Sequence, residues 1–201
     1  DDPDPQGPGL GRGDEGLREI SLHILDVAEN AIEAGARQLD LRLIEDLDAD
    51  RLAITVTDDG RGMDRDTLYQ IQDPFFTTRT TRHVGLGIPL FAATAERCAG
   101  ALNIDSTPGK GTRLEATLQH SHIDRPPVGD MPGTLLCILM REQDLALTYR
   151  HTLIAHGTKR TFELDTVQIR QALGDVPLSY PDVREWLREF IAEGEEQLKE
   201  A

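Results

Sequence analysis

The stretch Asp58-Asp59-Gly60-Arg61-Gly62-Met63 follows directly on Leu52–Thr57, a run rich in β-branched residues. Such a run reads as a strand, so the chain leaves an extended segment through two acidic residues and two closely spaced glycines. Glycine adopts backbone angles closed to other residues and lets the main chain approach a neighbour or a flat ligand closely. A carboxylate fixed at a strand end can accept a hydrogen bond from an exposed amino group such as that of adenine. Alone, the same residues would make only an acidic turn. Their neighbours decide between the two readings.

Upstream, Glu19, His23, Asp26, Asn30, Glu33 and Arg37 recur at steps of four and three and so share one face of a helix that begins near Leu17. Ile20, Ile24, Val27 and Ala31 line the adjacent apolar face, and Gly35 suits a terminator. Asp26 and Asn30 lie one turn apart. The Asn30 amide oxygen can ligate Mg²⁺ while the Asp26 carboxylate positions or activates a water. By themselves they are a polar pair on a solvated helix face. Leu39, Leu41 and Leu43 alternate with Asp40 and Arg42, which predicts a half-exposed strand. A turn over Glu45–Asp50 then makes it the antiparallel partner of Leu52–Thr57.

Downstream, residues 64–72 form a short helix candidate capped by Asp64, and Pro74-Phe75-Phe76-Thr77-Thr78-Arg79 opens an ordered loop over 74–84. Gly85-Leu86-Gly87 then begins a helix that runs from about Leu86 to Ala99. Glycine-rich backbone feeding a helix N-terminus offers unpaired N–H groups and a positive dipole end, which suits phosphate. Arg79 and Arg82 can add charge-assisted contacts to a terminal phosphate. Strands at 101–106 and 112–119 are joined by Pro108-Gly109-Lys110-Gly111. The Thr112 hydroxyl lies near Asp58 if the sheet brings these two strand ends together.

Taken in this order, the four boxes resemble those of the GHKL superfamily of gyrase, heat-shock chaperone, histidine kinase and mismatch-repair ATPases, over roughly residues 17–120. The resemblance implies a cleft for ATP or ADP with Mg²⁺. Asn30 is then the magnesium ligand, Asp58 contacts the adenine amino group, and Gly85, Leu86 and Gly87 lie under the phosphates. Gly60, Gly62, Met63, Phe76, Thr77 and Thr112 complete the implied nucleotide-contacting set. Asp26, as a water-positioning base, Arg79 and Arg82 are the groups implied to act at the reacting phosphate. The implied fold is an α/β sandwich of the α+β class, a mixed and mainly antiparallel sheet covered by helices on one face. The PFFTTR stretch and short lid look most like nitrogen-sensor-type histidine kinases. Two residues depart from the pattern. Asp26 stands where gyrase-like ATPases carry glutamate, and Glu33 stands where histidine kinases often carry a basic residue. Binding is therefore implied more strongly than hydrolysis.

The chain of 201 residues carries a net charge of −15, a field that repels nucleic-acid backbones and anionic lipid. With no apolar run of spanning length and no basic-then-apolar leader, the expectation is a cytoplasmic protein without membrane or nucleic-acid partners. Cys98 and Cys137 belong to no ligand pattern and read as buried free thiols.

Residues 1–16 read as a flexible lead-in, 17–120 as the ATP-binding domain, 121–133 as a linker and 134–201 as a small C-terminal α+β extension suited to docking. In that extension, 134–142 suits a helix or a buried strand, and Leu145–Ile154 and Lys159–Leu164 flank a hairpin at His156-Gly157. Helices follow at 166–173 and from Pro181 to about Lys199. His151 and His156 have no thiolate or carboxylate at ligand spacing and belong to the hairpin. The run GDMPGTL and the later ELDT and ALGDVPLSYPDV look similar to stand-alone histidine-kinase-like proteins of anaerobic bacteria, encoded beside iron-only hydrogenase and NADH-dehydrogenase-like subunits. That resemblance implies a partner that is a redox-enzyme subunit or a phosphoacceptor protein. The expectation is a chain without its own phosphoacceptor domain, because only about sixteen residues stand ahead of the first helix and His23 within that helix reads as a packing or surface residue. The expectation is a regulatory kinase or slow ATPase acting on a partner, with a nucleotide-gated adaptor as the alternative.

Overall fold

The computed structural model describes residues 19–72, 87–142 and 144–200. In chain order the elements are α1 (Ile20–Glu33), β1 (Gln38–Asp46), β2 (Arg51–Asp58), α2 (Arg65–Gln72), α3 (Gly87–Arg97), β3 (Ala101–Thr107) and β4 (Gly111–Gln119). Then follow α4 (Met131–Arg141), β5 (Ala146–Ala155), β6 (Thr158–Asp165), α5 (Thr166–Leu173) and α6 (Pro181–Lys199).

Alternation along β1 sets the architecture. Leu39, Leu41 and Leu43 are buried, whereas Arg42 and Ile44 between and beyond them are exposed. Leu52, Ile54 and Val56 of β2, Leu114, Ala116 and Leu118 of β4, and Leu147 and Tyr149 of β5 bury the same face. Because side chains alternate, a slip of one residue would turn every one of them to water, so the buried face fixes the register. The sheet has six strands in the order β3-β4-β2-β1-β5-β6. It is mixed: β5 runs parallel to β1 from Gln38↔Ala146 to Asp46↔Ile154, and all other neighbours are antiparallel. Helices pack over the apolar face. The other face is polar, with Arg42 paired to Asp40 at 2.6 Å and Arg150 to Glu163 at 2.9 Å.

Helix ends explain several boundaries. At the end of α1, the Ala36 N–H reaches the Ala31 carbonyl (3.0 Å) and the Gly35 N–H reaches Ile32 (2.9 Å), with Gly35 at φ +80°. This left-handed glycine cap is the terminator expected there. At its start, the Ile20 and Ser21 N–H groups donate to the Pro127 and Val128 carbonyls at 3.0 and 2.8 Å. Segment 121–133 thus satisfies first-turn donors that no side chain caps.

Residues 134–142, which suited helix or strand, fall almost wholly in α4. Asp130 accepts from the Gly133 N–H at 2.9 Å and Pro132 sits in the first turn. On α4, Leu135, Leu136, Ile138 and Leu139 are buried, which turns Cys137 to the opposite side. Cys98 is buried as expected, but Cys137 is exposed, a correction that follows from helical periodicity. At the β5–β6 hairpin, His156 and Gly157 have φ of 52° and 71°, and both N–H groups donate to Asp48 at 2.8 Å.

β5 and β6 are bound to the rest of the sheet by a buried polar cluster. His151 Nδ1 lies 2.8 Å from Glu195 of α6, and its Nε2 lies 3.1 Å from Glu45 of β1. The Tyr149 hydroxyl donates to Glu195 at 2.7 Å, and His120 reaches the second oxygen of Glu45 at 2.8 Å.

Candidate nucleotide site

Asp58 closes β2 and stands opposite Thr112 at the start of β4. The two strand ends are therefore adjacent. The Gly60 N–H donates to Asp58 Oδ1 at 2.8 Å. Burial raises the Asp58 carboxyl above its ordinary range, against the opposing pull of the Gly60 and Thr112 N–H groups. Asp59, by contrast, stays exposed and accepts from the N–H groups of Arg37 and Gln38 at 2.7 and 2.8 Å. The two neighbouring acids thus divide their work, one facing the cleft and one pinning the start of β1.

The glycines of this box serve close packing of backbone on backbone. Gly62 has φ +65°, and a Cβ there would lie 2.0 Å from the Thr107 carbonyl oxygen. The β3–β4 turn is held against the box by Gly109 N–H to Arg61 O at 2.7 Å and Met63 N–H to Ser106 Oγ at 2.9 Å. Ser106 Oγ also lies 2.9 Å from Thr112 Oγ1. Ser106 is thus the junction of the second and fourth boxes, a role the sequence motif contains but does not announce.

Helix α1 supplies the other wall. Asn30 lines the cleft, and the Arg61 N–H donates to the Ala34 carbonyl at 2.9 Å, tying the box to the helix end. Asp26, one turn earlier, is half-buried and meets the first residue of α3. A Cβ on Gly87 would lie 2.7 Å from Asp26 Oδ2. An acid against a helix N-terminus is electrostatically matched. Among the described residues, Asn30, Asp58, Gly62, Met63, Gly87 and Thr112 all border one cleft, whereas Asp26 and Gly60 do not line it. Phe76, Thr77, Arg79, Arg82, Gly85 and Leu86 lie outside the described residues.

The cleft has a volume of about 560 Å³, within the usual range for a small-ligand pocket. Val56, Ile104 and Leu114 give it an apolar floor, and Ile71 and Ile88 an apolar side. Asp58, Asn30 and Thr112 supply the polar groups. An apolar cleft with a strand-end acceptor suits a heteroaromatic base. Glu33 also borders the cleft and accepts from Arg141 of α4 at 3.3 Å, while Arg141 holds Glu29 at 2.8 Å. The position that often carries a basic residue is therefore a carboxylate tied to the C-terminal segment.

His23 is buried and stacks on Phe91 at 4.7 Å and 4°, with Thr94 Oγ1 3.4 Å from its Nε2. It is a packing residue. His151 did find carboxylates, from β1 and α6, which spacing could not reveal. Among the described residues no group of three or more His, Cys, Asp or Glu side chains is arranged to hold a metal. No described helix is long and apolar enough to cross a membrane.

Residues 16–122 match the family described as Histidine kinase-, DNA gyrase B-, and HSP90-like ATPase. The chain belongs to this family, and it carries a histidine-kinase-like ATP-binding domain. It is 43% identical to Sensor protein kinase FleS of Pseudomonas aeruginosa over 89 residues, 44% of this chain and 22% of that protein. Over 103 residues it is 34% identical to Sporulation kinase E of Bacillus subtilis, 51% of this chain and 13% of the relative. Autoinducer 2 sensor kinase/phosphatase LuxQ of Vibrio cholerae is 31% identical over 125 residues, 60% of this chain and 14% of that protein. The chain therefore spans less than a quarter of each of these relatives.

Proposed function

We propose that the cleft binds Mg·ATP and that the chain acts as a regulatory kinase or slow ATPase on a protein partner. The observation that carries this reading is the half-buried Asp58 carboxylate at the end of an apolar slot whose opposite wall bears Asn30. Asp58 accepts from the adenine amino group, and Thr112 holds the strand end beside it. Asn30 offers a neutral oxygen to Mg²⁺, an ion that takes few protein ligands and completes its shell with phosphate oxygens and water. Asn30 borders the cleft, and a neutral amide oxygen there suits the chemistry of that ion. Bound Mg²⁺ supplies charge neutralisation at the phosphates. The chain's own residues orient the base and exclude water from its faces. Asp26, Arg79 and Arg82 are the groups proposed to act at the terminal phosphate, and Phe76, Thr77, Gly85, Leu86 and Gly87 to border it. The partner is a phosphoacceptor protein or a redox-enzyme subunit, and the setting is cytoplasmic signalling.

A second reading has one observation in its favour. Arg141 of α4 bridges Glu29 and Glu33, which flank Asn30 on α1, and so ties the helix that carries Asn30 to the C-terminal segment. In that reading residues 134–201 report occupancy to a partner without turnover.

Incubation with γ-labelled ATP and Mg²⁺, alone and with candidate partner proteins, separates these readings. Label on a partner supports the kinase and released phosphate supports the ATPase. Retained ATP binding with neither outcome supports the adaptor and overturns the kinase and ATPase reading.

A further inference from the structure

We propose that two copies of this chain associate through the outer edge of β6, pairing antiparallel about Thr161 into one continuous sheet. Three features of the edge point to a second copy as its occupant.

The first is the backbone. β6 ends the strand order and pairs with β5 without interruption from Thr148↔Asp165 to Ala155↔Thr158. Among the described residues no strand lies on its outer side. It contains no proline, and an uninterrupted edge presents unpaired N–H and C=O groups to any strand whose charges match its own.

Charge is the second. Lys159 and Glu163 lie on the open face of the sheet at equal distances in sequence on either side of Thr161. A twofold axis through Thr161 sets Lys159 of each copy opposite Glu163 of the other, so the match is made twice. Opposite charges facing each other across adjacent strands are a favourable pair. Glu163 is already oriented, since Arg150 donates to it through Nη2 at 2.9 Å and Nε at 3.2 Å. On the helix-covered face the same register sets Arg160 against Phe162. β3, the other edge of the sheet, has Asp105 as its sole charge and offers no such self-match.

The third is an aromatic ledge beside this edge. Trp186 and Phe190 of α6 are 45% and 37% exposed, and their rings stack at 5.4 Å. Phe190 in turn contacts Phe162 of β6 at 5.5 Å, and Phe162 lies where a Cβ on Gly194 would be, so the absence of a side chain at 194 lets ring and helix meet. On the opposite flank of α6, Arg184 and Arg188 border a groove shared with α4. The ledge therefore faces away from α4, toward the free edge of the sheet. A second copy on that edge covers rings that are otherwise wet, and tryptophan and phenylalanine are residue types enriched where protein surfaces meet.

Sedimentation velocity on the full chain over a concentration series tests this, with circular dichroism melts to confirm folding of each variant. The expected result is a reversible dimer. Lys159→Glu and Glu163→Lys each place like charges opposite one another twice and raise the dimer dissociation constant by roughly tenfold or more. An equimolar mixture of the two variants restores opposite charges at both positions and re-forms a dimer. Trp186→Ser weakens association with no change of charge. A wild-type chain that stays monomeric at every concentration overturns the proposal. A dimer indifferent to both charge variants, or folded charge variants that fail to re-associate when mixed, overturns it as well.

Discussion

Asp58 and Thr112 stand directly opposite each other where β2 ends and β4 begins, and the Thr112 hydroxyl is engaged 2.9 Å away by Ser106. The carboxylate facing the cleft is thus held by a three-residue arrangement drawn from two distant sequence boxes. Several outcomes depend on that arrangement and on the contacts around it.

Ser106→Ala removes the acceptor for the Met63 N–H and the partner of the Thr112 hydroxyl. Leaving a part-buried N–H unpaired costs about 1–2 kcal/mol. Urea denaturation is expected to show a lower midpoint with an unchanged slope. Calorimetry is expected to show weaker nucleotide binding in the same variant.

Two glycine-to-alanine changes separate backbone conformation from crowding. Gly62 and Gly109 both have left-handed φ, at 65° and 73°. Gly109 has open space around it, so Gly109→Ala costs only the conformational penalty of about 1–2 kcal/mol. At Gly62 the new Cβ collides with the Thr107 carbonyl. Thermal melts are expected to place Gly62→Ala well below Gly109→Ala, with nucleotide binding lost only in the former. Equal melting temperatures would contradict the close approach assigned to Gly62.

The positions of most elements were legible in the sequence because their signals are local. Alternating leucines marked β1, the Asp58 box marked the end of β2, Gly35 ended α1, and Pro181 opened α6. Three features were not legible. Asp59 and Asp58 have the same side chain, and only the fold turns one to Arg37 and Gln38 and the other to the cleft. Glu45 and Glu195 meet His151 from β1 and α6, a distance no motif spacing encodes. The parallel pairing of β5 with β1, which makes residues 146–165 part of the main sheet, depends on where α4 returns the chain.

The Glu45–His151–Glu195 cluster makes stability depend on pH. Burial disfavours the His151 charge, but hydrogen bonds and attraction from Glu195 and Glu45 overcome it and raise its pKa from 6.5 to about 9. A raised folded-state pKa contributes stability that is complete below about 6.5 and is lost as pH climbs through 9. Burial likewise opposes ionised Glu45, while His151 and His120 lower its pKa from 4.5 to about 2. That contribution is complete above about 4.5 and is lost as pH falls toward 2. Melting temperature is expected to peak in the window between and decline on both sides. His151→Ala leaves the buried Glu195 without its cation and Glu45 with His120 alone, and is expected to cost about 3–5 kcal/mol. A flat profile in the wild type from pH 6 to 9 would contradict the cluster's charge state.

Arg141→Ala tests the link between α1 and α4. Its ion pairs with Glu29 and Glu33 are more than a third exposed, so the change in stability is expected to stay below about 1 kcal/mol. Hydrogen exchange in α4 is expected to slow when ATP is added to the wild type. In the variant that response is expected to disappear while ATP still binds. An undiminished response would remove Arg141 from the path.

Titration calorimetry of Mg·ATP into the full chain and into Asp58→Asn and Asn30→Ala determines whether this cleft holds the nucleotide. The wild type is expected to bind one ATP. Asp58→Asn keeps the shape of the side chain but loses a charge-assisted acceptor, and its affinity is expected to fall roughly tenfold to a hundredfold. Asn30→Ala is expected to bind more weakly and to lose most of the dependence on Mg²⁺. No heat of binding from a folded wild-type chain, or unchanged affinity in both variants, would contradict the assignment of this cleft as the nucleotide site.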